Sequence, residues 1–200
     1  MLFRQIQLYN FLYYNERIGI GKKILDCEAG GNMPPLLLFI ENGYDVCGIE
    51  IDDYQINQAK EFAKTNGITL NIRKGNMTDI EFDNDSFDCA YSYNSIFHMK
   101  KKDIKKSIEE MKRVVKNNGL IYINLLSKED FGYGQGEKIG NGEFSQNEGN
   151  EIVIHSFYSS IETKDLFFNF KSVFYQHRTV ERKIGTDYVK QAFHDFILKV

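Results

Sequence analysis

Ile24-Leu25-Asp26-Cys27-Glu28-Ala29-Gly30-Gly31-Asn32 is a short apolar run that breaks into a glycine turn, and Val46-Cys47-Gly48-Ile49-Glu50 is a second apolar run that ends in an acid. Asp26 and Glu50 stand twenty-four residues apart, the length of one strand-helix-strand unit of an α/β fold. Such a unit places both strand ends side by side at the carboxyl edge of a sheet. Small residues there let a ligand approach the first turn, and the neighbouring acid can accept hydrogen bonds from both hydroxyls of a ribose. The intervening segment agrees. Pro34 and Pro35 fall where a helix begins, where first-turn amides have no intrahelical partner, and Gly43 is the expected stop.

Outward from this unit the same alternation continues. Residues 22–26 read as the first strand, and residues 2–17 before it as an N-terminal helix. Asp52 and Gln55 make an aspartate version of a capping box. It opens a helix carrying Ile56, Ala59, Phe62 and Ala63, which Gly67 ends. Residues 70–73 and 87–92 read as the third and fourth strands. Residues 103–115 form a helix with Ile104, Ile108, Met111 and Val115 at helical spacing, and residues 120–125 the fifth strand. A helix over 163–169 and strands over 172–182 and 192–200 close the chain. Strands separated by helices require parallel neighbours and right-handed crossovers, so the fold is a doubly wound α/β domain. Residues 131–150, rich in Gly, Asn, Gln and Glu, are too long and polar for an ordinary connection and read as an ordered or mobile flap.

Composition fits one domain. Two hundred residues, 42% of them hydrophobic, can bury a single core, and 16 Phe with 12 Tyr leave aromatics to line a cavity. A net charge of -3 gives no attraction to phosphate backbones or anionic lipid, which disfavours nucleic acid and a membrane surface as partners. Cys27, Cys47 and Cys89 are odd in number and lack CxxC spacing, so they read as reduced, packed thiols and not as a metal site. Arg4, Gln5, Gln7 and Asn10 interrupt the N-terminal apolar residues, and nothing later approaches transmembrane length, so the expected location is cytoplasmic. No feature of the sequence specifies an oligomeric state.

Three further stretches sharpen the reading: Gly75-Asn76-Met77-Thr78-Asp79-Ile80, then Phe82-Asp83-Asn84-Asp85-Ser86-Phe87-Asp88-Cys89-Ala90-Tyr91-Ser92 with Ile96-Phe97-His98-Met99 beyond, and Lys112-Arg113-Val114-Val115-Lys116-Asn117-Asn118-Gly119-Leu120. With the opening turn, they resemble the class I S-adenosylmethionine-dependent methyltransferases from about residue 22 to 126. The resemblance implies a single-domain, Rossmann-like, seven-stranded, mostly parallel sheet with an antiparallel last strand. Residues 1–20 would be an N-terminal helical segment and residues 21–200 the methyltransferase domain, with a flap at about 131–150.

It also implies that S-adenosylmethionine is the cofactor and S-adenosylhomocysteine the product. Asp26 and the backbone of Ala29, Gly30 and Gly31 would face the methionine part, Glu50 the ribose hydroxyls, and Ile51 one face of adenine. Asn76 would accept from the adenine amino group, Met77 would present its backbone amide to the ring, and Ser92 would offer its carbonyl to the ammonium. Glu28 departs from the pattern, standing where the family has glycine. It is a tolerated variant, a specialised contact, or the mark of a weakened site, and a charge near the cofactor's carboxylate is the physical difficulty.

His98 has the chemistry of a general base, but packing of the loop after the fourth strand is the simpler role for it, as for His155. Lys100, Lys101, Lys102, Lys105 and Lys106 read as a solvated helix face. The expected activity is methyl transfer to an O, N or S nucleophile on a small molecule, with Tyr9, Tyr13, Tyr14 and residues 131–150 forming the acceptor side. Two alternatives stand beside it. Glu28 allows a methyltransferase-like cofactor-binding protein without turnover. The Asp26–Glu50 spacing allows a nicotinamide-dependent oxidoreductase, against which the turn lacks G-x-G-x-x-G and no Tyr-x-x-x-Lys set occurs.

Overall fold

The computed structural model describes residues 6–149 and 151–200. Helix α1 (Ile6–Ile18) precedes β1 (Lys23–Cys27), α2 (Leu36–Glu41), β2 (Asp45–Glu50), α3 (Asp53–Asn66) and β3 (Ile72–Lys74). Next come β4 (Phe87–Ser92), a 3-10 turn (Ile96–His98), α4 (Lys101–Val114) and β5 (Val115–Ser127). The later chain adds β6 (Glu137–Gly140), β7 (Glu143–Glu148), β8 (Glu151–Tyr158), α5 (Ser160–Leu166), β9 (Lys171–Ile184) and β10 (Asp187–Lys199).

Seven of these strands form the expected sheet. Its order is β3-β2-β1-β4-β5-β10-β9, with the first five parallel and β10 antiparallel to both neighbours. Alternation along each strand feeds two cores. Leu25, Ile49, Ala90 and Ile121 face one side, where α4 inserts Ile104, Ile108 and Met111. Ile24, Tyr91, Leu120 and Tyr122 face the other, beneath α1 and α2. Phe11 of α1 meets the rings of Phe39 and Tyr91 edge-on at 6.2 and 6.4 Å, which fixes α1 against that face.

The expected flap supplies β6 and β7, which with β8 make a meander: β6 pairs antiparallel with β7, and β7 with β8. Asn150, the last residue of the expected flap, lies outside the described residues, as do residues 1–5 of the N-terminal segment. The meander joins the main sheet through two parallel pairs, Leu126↔Phe157 and Ser127↔Tyr158, past the point where β4 stops pairing with β5 at Ser92↔Ile123. It therefore extends the sheet over the carboxyl edge. Glu143 accepts the Lys101 amide at 2.6 Å and Ser156 donates to the Met99 carbonyl at 2.6 Å, so the first turn of α4 is fastened to the meander.

Several local expectations need correction. Asp52 caps α3 by accepting the Tyr54 amide, but its own amide donates to Glu50 Oε1 at 3.0 Å, and the reciprocal box forms instead at Ser159 and Glu162. The last helix accordingly starts at Ser160, ahead of the expected 163. The fifth strand begins at Val115, directly from α4 and ahead of the expected residue 120, with Asn118 at φ +70 within it.

Candidate functional site

The site is built where β1 and β2 end. The amides of Glu28 and Ala29 both donate to the Ile49 carbonyl at 2.9 Å, which draws the turn against β2. Gly48 makes this approach possible, since a Cβ there would collide with Ala29 Cβ. Gly30 is required for a different reason. Its amide donates to Glu50 Oε2 at 3.1 Å, and a Cβ at Gly30 would lie 2.6 Å from that oxygen. Glu50 Oε1 accepts the Asp52 amide at 3.0 Å. An ionised carboxylate has about four acceptor positions, so two remain for a ligand.

Three acids converge on this edge. Asp26 is buried, and Tyr91 donates to its Oδ2 at 2.6 Å. Burial pushes the Asp26 carboxyl up to about 8 against the Tyr91 hydrogen bond, and the charges of Glu28 and Glu50 push the same way. Glu28 holds φ +79, the left-handed region expected of a glycine position. Burial lifts its carboxyl to about 7, opposed by a hydrogen bond with Ser95 and assisted by Glu50. At neutral pH Glu28 is thus partly protonated, which removes much of the expected repulsion toward an anionic ligand group.

A cleft of about 540 Å³ opens over this edge. Of the residues singled out from sequence, Glu28, Ile51, Asn76, Met77 and His98 line it. Ile51 is 56% exposed, an apolar platform with nothing packed on it. Asp26, Ala29 and Ser92 are buried, Ser92 sharing a 2.8 Å hydrogen bond with the Ser95 hydroxyl. Glu50 is also buried, with Gly30 and Gly31 in the turn beside it. Asn76 differs from expectation, because its Oδ1 accepts both the amide and the hydroxyl of Thr78 at 2.9 Å. Only its amide nitrogen is left to face a ligand.

Burial, then the neighbouring His155, holds His98 down at about 4. A neutral ring at pH 7 suits packing or hydrogen-bond acceptance better than proton storage. The two imidazoles meet edge-on at 4.7 Å. Lys100 and Lys102 stand in the cleft wall with Asp103, not merely on a solvated face, and Ile154 reaches the same wall from β8. Sequence reasoning gave Lys100 and Lys102 only to a solvated face and missed Asp103, Ile154 and the Tyr91 partner of Asp26. Tyr91 was legible in principle as a hydroxyl in a strand adjoining β1, and Ile154 lies in the β-branched run Ile152-Val153-Ile154, which reads as a strand but does not show which site that strand meets. Tyr9 and Tyr13 line a separate cavity with Tyr122 and Asp195. Among the described residues no helix is long and apolar enough to cross a membrane, and no cluster of three His, Cys, Asp or Glu side chains is placed to hold a metal.

Residues 25–123 match the family model described as a methyltransferase domain. The chain is 31% identical over 114 residues to a sterol 24-C-methyltransferase of Aspergillus fumigatus, covering 54% of this chain and 29% of that protein. It is 33% identical over 106 residues to the 24-methylenesterol C-methyltransferase 2 of Arabidopsis thaliana, covering 52% and 28%. The chain thus spans under a third of the length of these relatives. In fold it is similar to an S-adenosylmethionine-dependent methyltransferase from Methanosarcina mazei, with a TM-score of 0.74 and 21% identity over 100% of this chain and 98% of that one. Another such methyltransferase, from Clostridium acetobutylicum, gives 0.75 at 10% identity over 100% and 93%.

Proposed function

We propose that the chain is a class I S-adenosylmethionine-dependent methyltransferase, as the methyltransferase-domain match over residues 25–123 supports, and that it transfers a methyl group to an O, N or S nucleophile on a small molecule. S-adenosylmethionine, when bound, supplies a methyl group on a sulfonium, which an aligned lone pair can take while the carbon–sulfur electron pair stays on sulfur. The chain's own work is holding, aligning and excluding water.

The observation that carries this is the Glu50 carboxylate, fixed by the Gly30 and Asp52 amides with acceptor capacity to spare for two ribose hydroxyls. Ile51 covers one adenine face, the Met77 amide meets the ring edge, and Asn76 contributes its amide nitrogen. The Asp26 side and the backbone of Ala29 to Gly31 face the methionine part, with the Ser92 carbonyl toward the ammonium. Glu28 is a tolerated variant whose carboxyl, near 7, can shed its charge. The three buried free thiols, Cys27, Cys47 and Cys89, favour work in the cytoplasm.

Mass spectrometry of ligand carried through purification tests the proposal. S-adenosylmethionine or S-adenosylhomocysteine near one equivalent supports it, and a nicotinamide nucleotide in their place replaces it with hydride transfer.

A further inference from the structure

We propose that a second cavity, of about 330 Å³, receives the methyl acceptor, and that its lining selects a compact, flat aromatic ring bearing N–H or O–H donors. This rests on the methyltransferase assignment above. His98 stands in the walls of both the cofactor cleft and this cavity, so the two spaces adjoin across one side chain. Strand β8 divides between them: Ile154 faces the cleft and the next residue, His155, faces the cavity, as alternation along a strand requires.

The apolar part of the wall is aromatic. Phe97, Phe157 and Phe193 are buried there, and Phe131 is half-exposed. Flat rings stack or meet edge-on with such walls. The polar part holds unpaired atoms. His155 Nδ1, His98 Nδ1 and Gln191 Oε1, all on residues of this wall, are buried atoms without a hydrogen-bond partner. His155 Nε2 lies 3.3 Å from Glu148 Oε1, so a neutral ring that donates there keeps Nδ1 as a bare lone pair. The Gln191 oxygen is a second bare acceptor. Buried acceptors left unpaired are costly, and a side-chain rotation that turns either one into the cavity lets a ligand donor relieve it. Arg182 in the same wall can meet an acceptor on the ring.

A sterol fits poorly. It offers one hydroxyl and a long aliphatic surface to a wall that also carries Asp130, Glu148 and Arg182. The family match ends at residue 123, and the wall lies beyond that residue apart from Asn94, Phe97 and His98. The likeness to sterol methyltransferases therefore carries little information about this cavity.

The test is saturation-transfer NMR on the full chain, first titrated with S-adenosylhomocysteine and then offered matched pairs: xanthine against caffeine, and catechol against veratrole, with ergosterol in detergent as a third arm. Each pair keeps the ring and removes the donors. The donor-bearing member should bind at least tenfold more tightly than its capped counterpart. His155→Phe and, independently, Gln191→Leu should erase most of that difference. A panel in which no donor-bearing compound outbinds its counterpart overturns the proposal, as does ergosterol binding that Phe193→Ala weakens. Failure of S-adenosylhomocysteine to bind would strike the cofactor assignment instead, and the panel run on the free protein would still decide the cavity.

Discussion

Tyr91 on β4 donates its hydroxyl to Asp26 on β1 at 2.6 Å, joining two parallel strands beneath the floor of the cleft with both side chains buried. Tyr91→Phe leaves the Asp26 carboxyl without this donor. Hydrogen bonds contribute about 0.5–1.5 kcal/mol between neutral groups and about 1.5–3 kcal/mol to charged ones, and Asp26, near 8, is half-ionised at pH 8, so urea unfolding there should show a loss of about 1–2 kcal/mol. An unchanged midpoint there would mean that the pair contributes nothing.

The raised carboxyls set a pH dependence with a definite sign. Asp26, near 8, and Glu28, near 7, bind protons more tightly in the folded state than in the unfolded one, where ordinary carboxyls titrate near 4. Their stabilisation is complete at low pH and is lost as pH rises through 7 and 8, with a slope of at most about 1.4 kcal/mol per pH unit for each proton. His98 and His155 act oppositely. Burial depresses both, so they remove stability as pH falls below 6.5, and His98 completes its loss near 4. Between pH 6.5 and 8 the acids dominate. Stability should fall across that interval, and Asp26→Asn should flatten the fall; a variant as steep as the wild type would remove Asp26 as its source.

Glu28→Gly separates backbone from charge. A non-glycine residue in the left-handed region costs roughly 1–2 kcal/mol, and Glu28 sits at φ +79. The glycine variant should unfold at a higher denaturant concentration and bind S-adenosylhomocysteine at least as well as the wild type. Glu28→Ala keeps a Cβ and should gain little stability. Weaker cofactor binding in the glycine variant, by tenfold or more, would make Glu28 a specialised contact.

How far the sequence disclosed this molecule depended on local chemistry. Strand β4 matched residue for residue, because Phe87, Cys89, Ala90, Tyr91 and Tyr93 give a mostly apolar run, interrupted at Asp88 and Ser92, between Ser86 and the polar turn at Asn94. The capping box at Asp52 was misread because the Asp52 amide, which the Gln55 side chain would have to accept, donates instead to Glu50 Oε1, a tertiary contact that spacing along the chain does not display. Asn76 was placed at the right strand end, but its oxygen turns inward to Thr78. Within the meander, β6 and β7 were invisible as strands, since their positions are mostly polar on both faces and carry no period-2 signal.

The meander is also a proposed cover for the acceptor side. Its anchored part, fixed through Glu143 and Ser156, should exchange amide hydrogens slowly in every state. Its outer part, residues 133–140, carries Gly134 and Gly136 at positive φ and should gain protection when cofactor and a donor-bearing aromatic bind together. Equal exchange with and without ligands would leave it a static wall.

The central assignment is that the edge joined by Glu50 and Gly30 holds the cofactor's ribose. Calorimetric titration of S-adenosylhomocysteine into wild type and Glu50→Ala tests it most directly. The wild type should bind one equivalent, and the variant, lacking two charge-assisted acceptors of about 1.5–3 kcal/mol each, should bind at least tenfold more weakly while circular dichroism shows it folded. A folded Glu50→Ala protein with undiminished affinity would contradict the assignment and place the cofactor elsewhere.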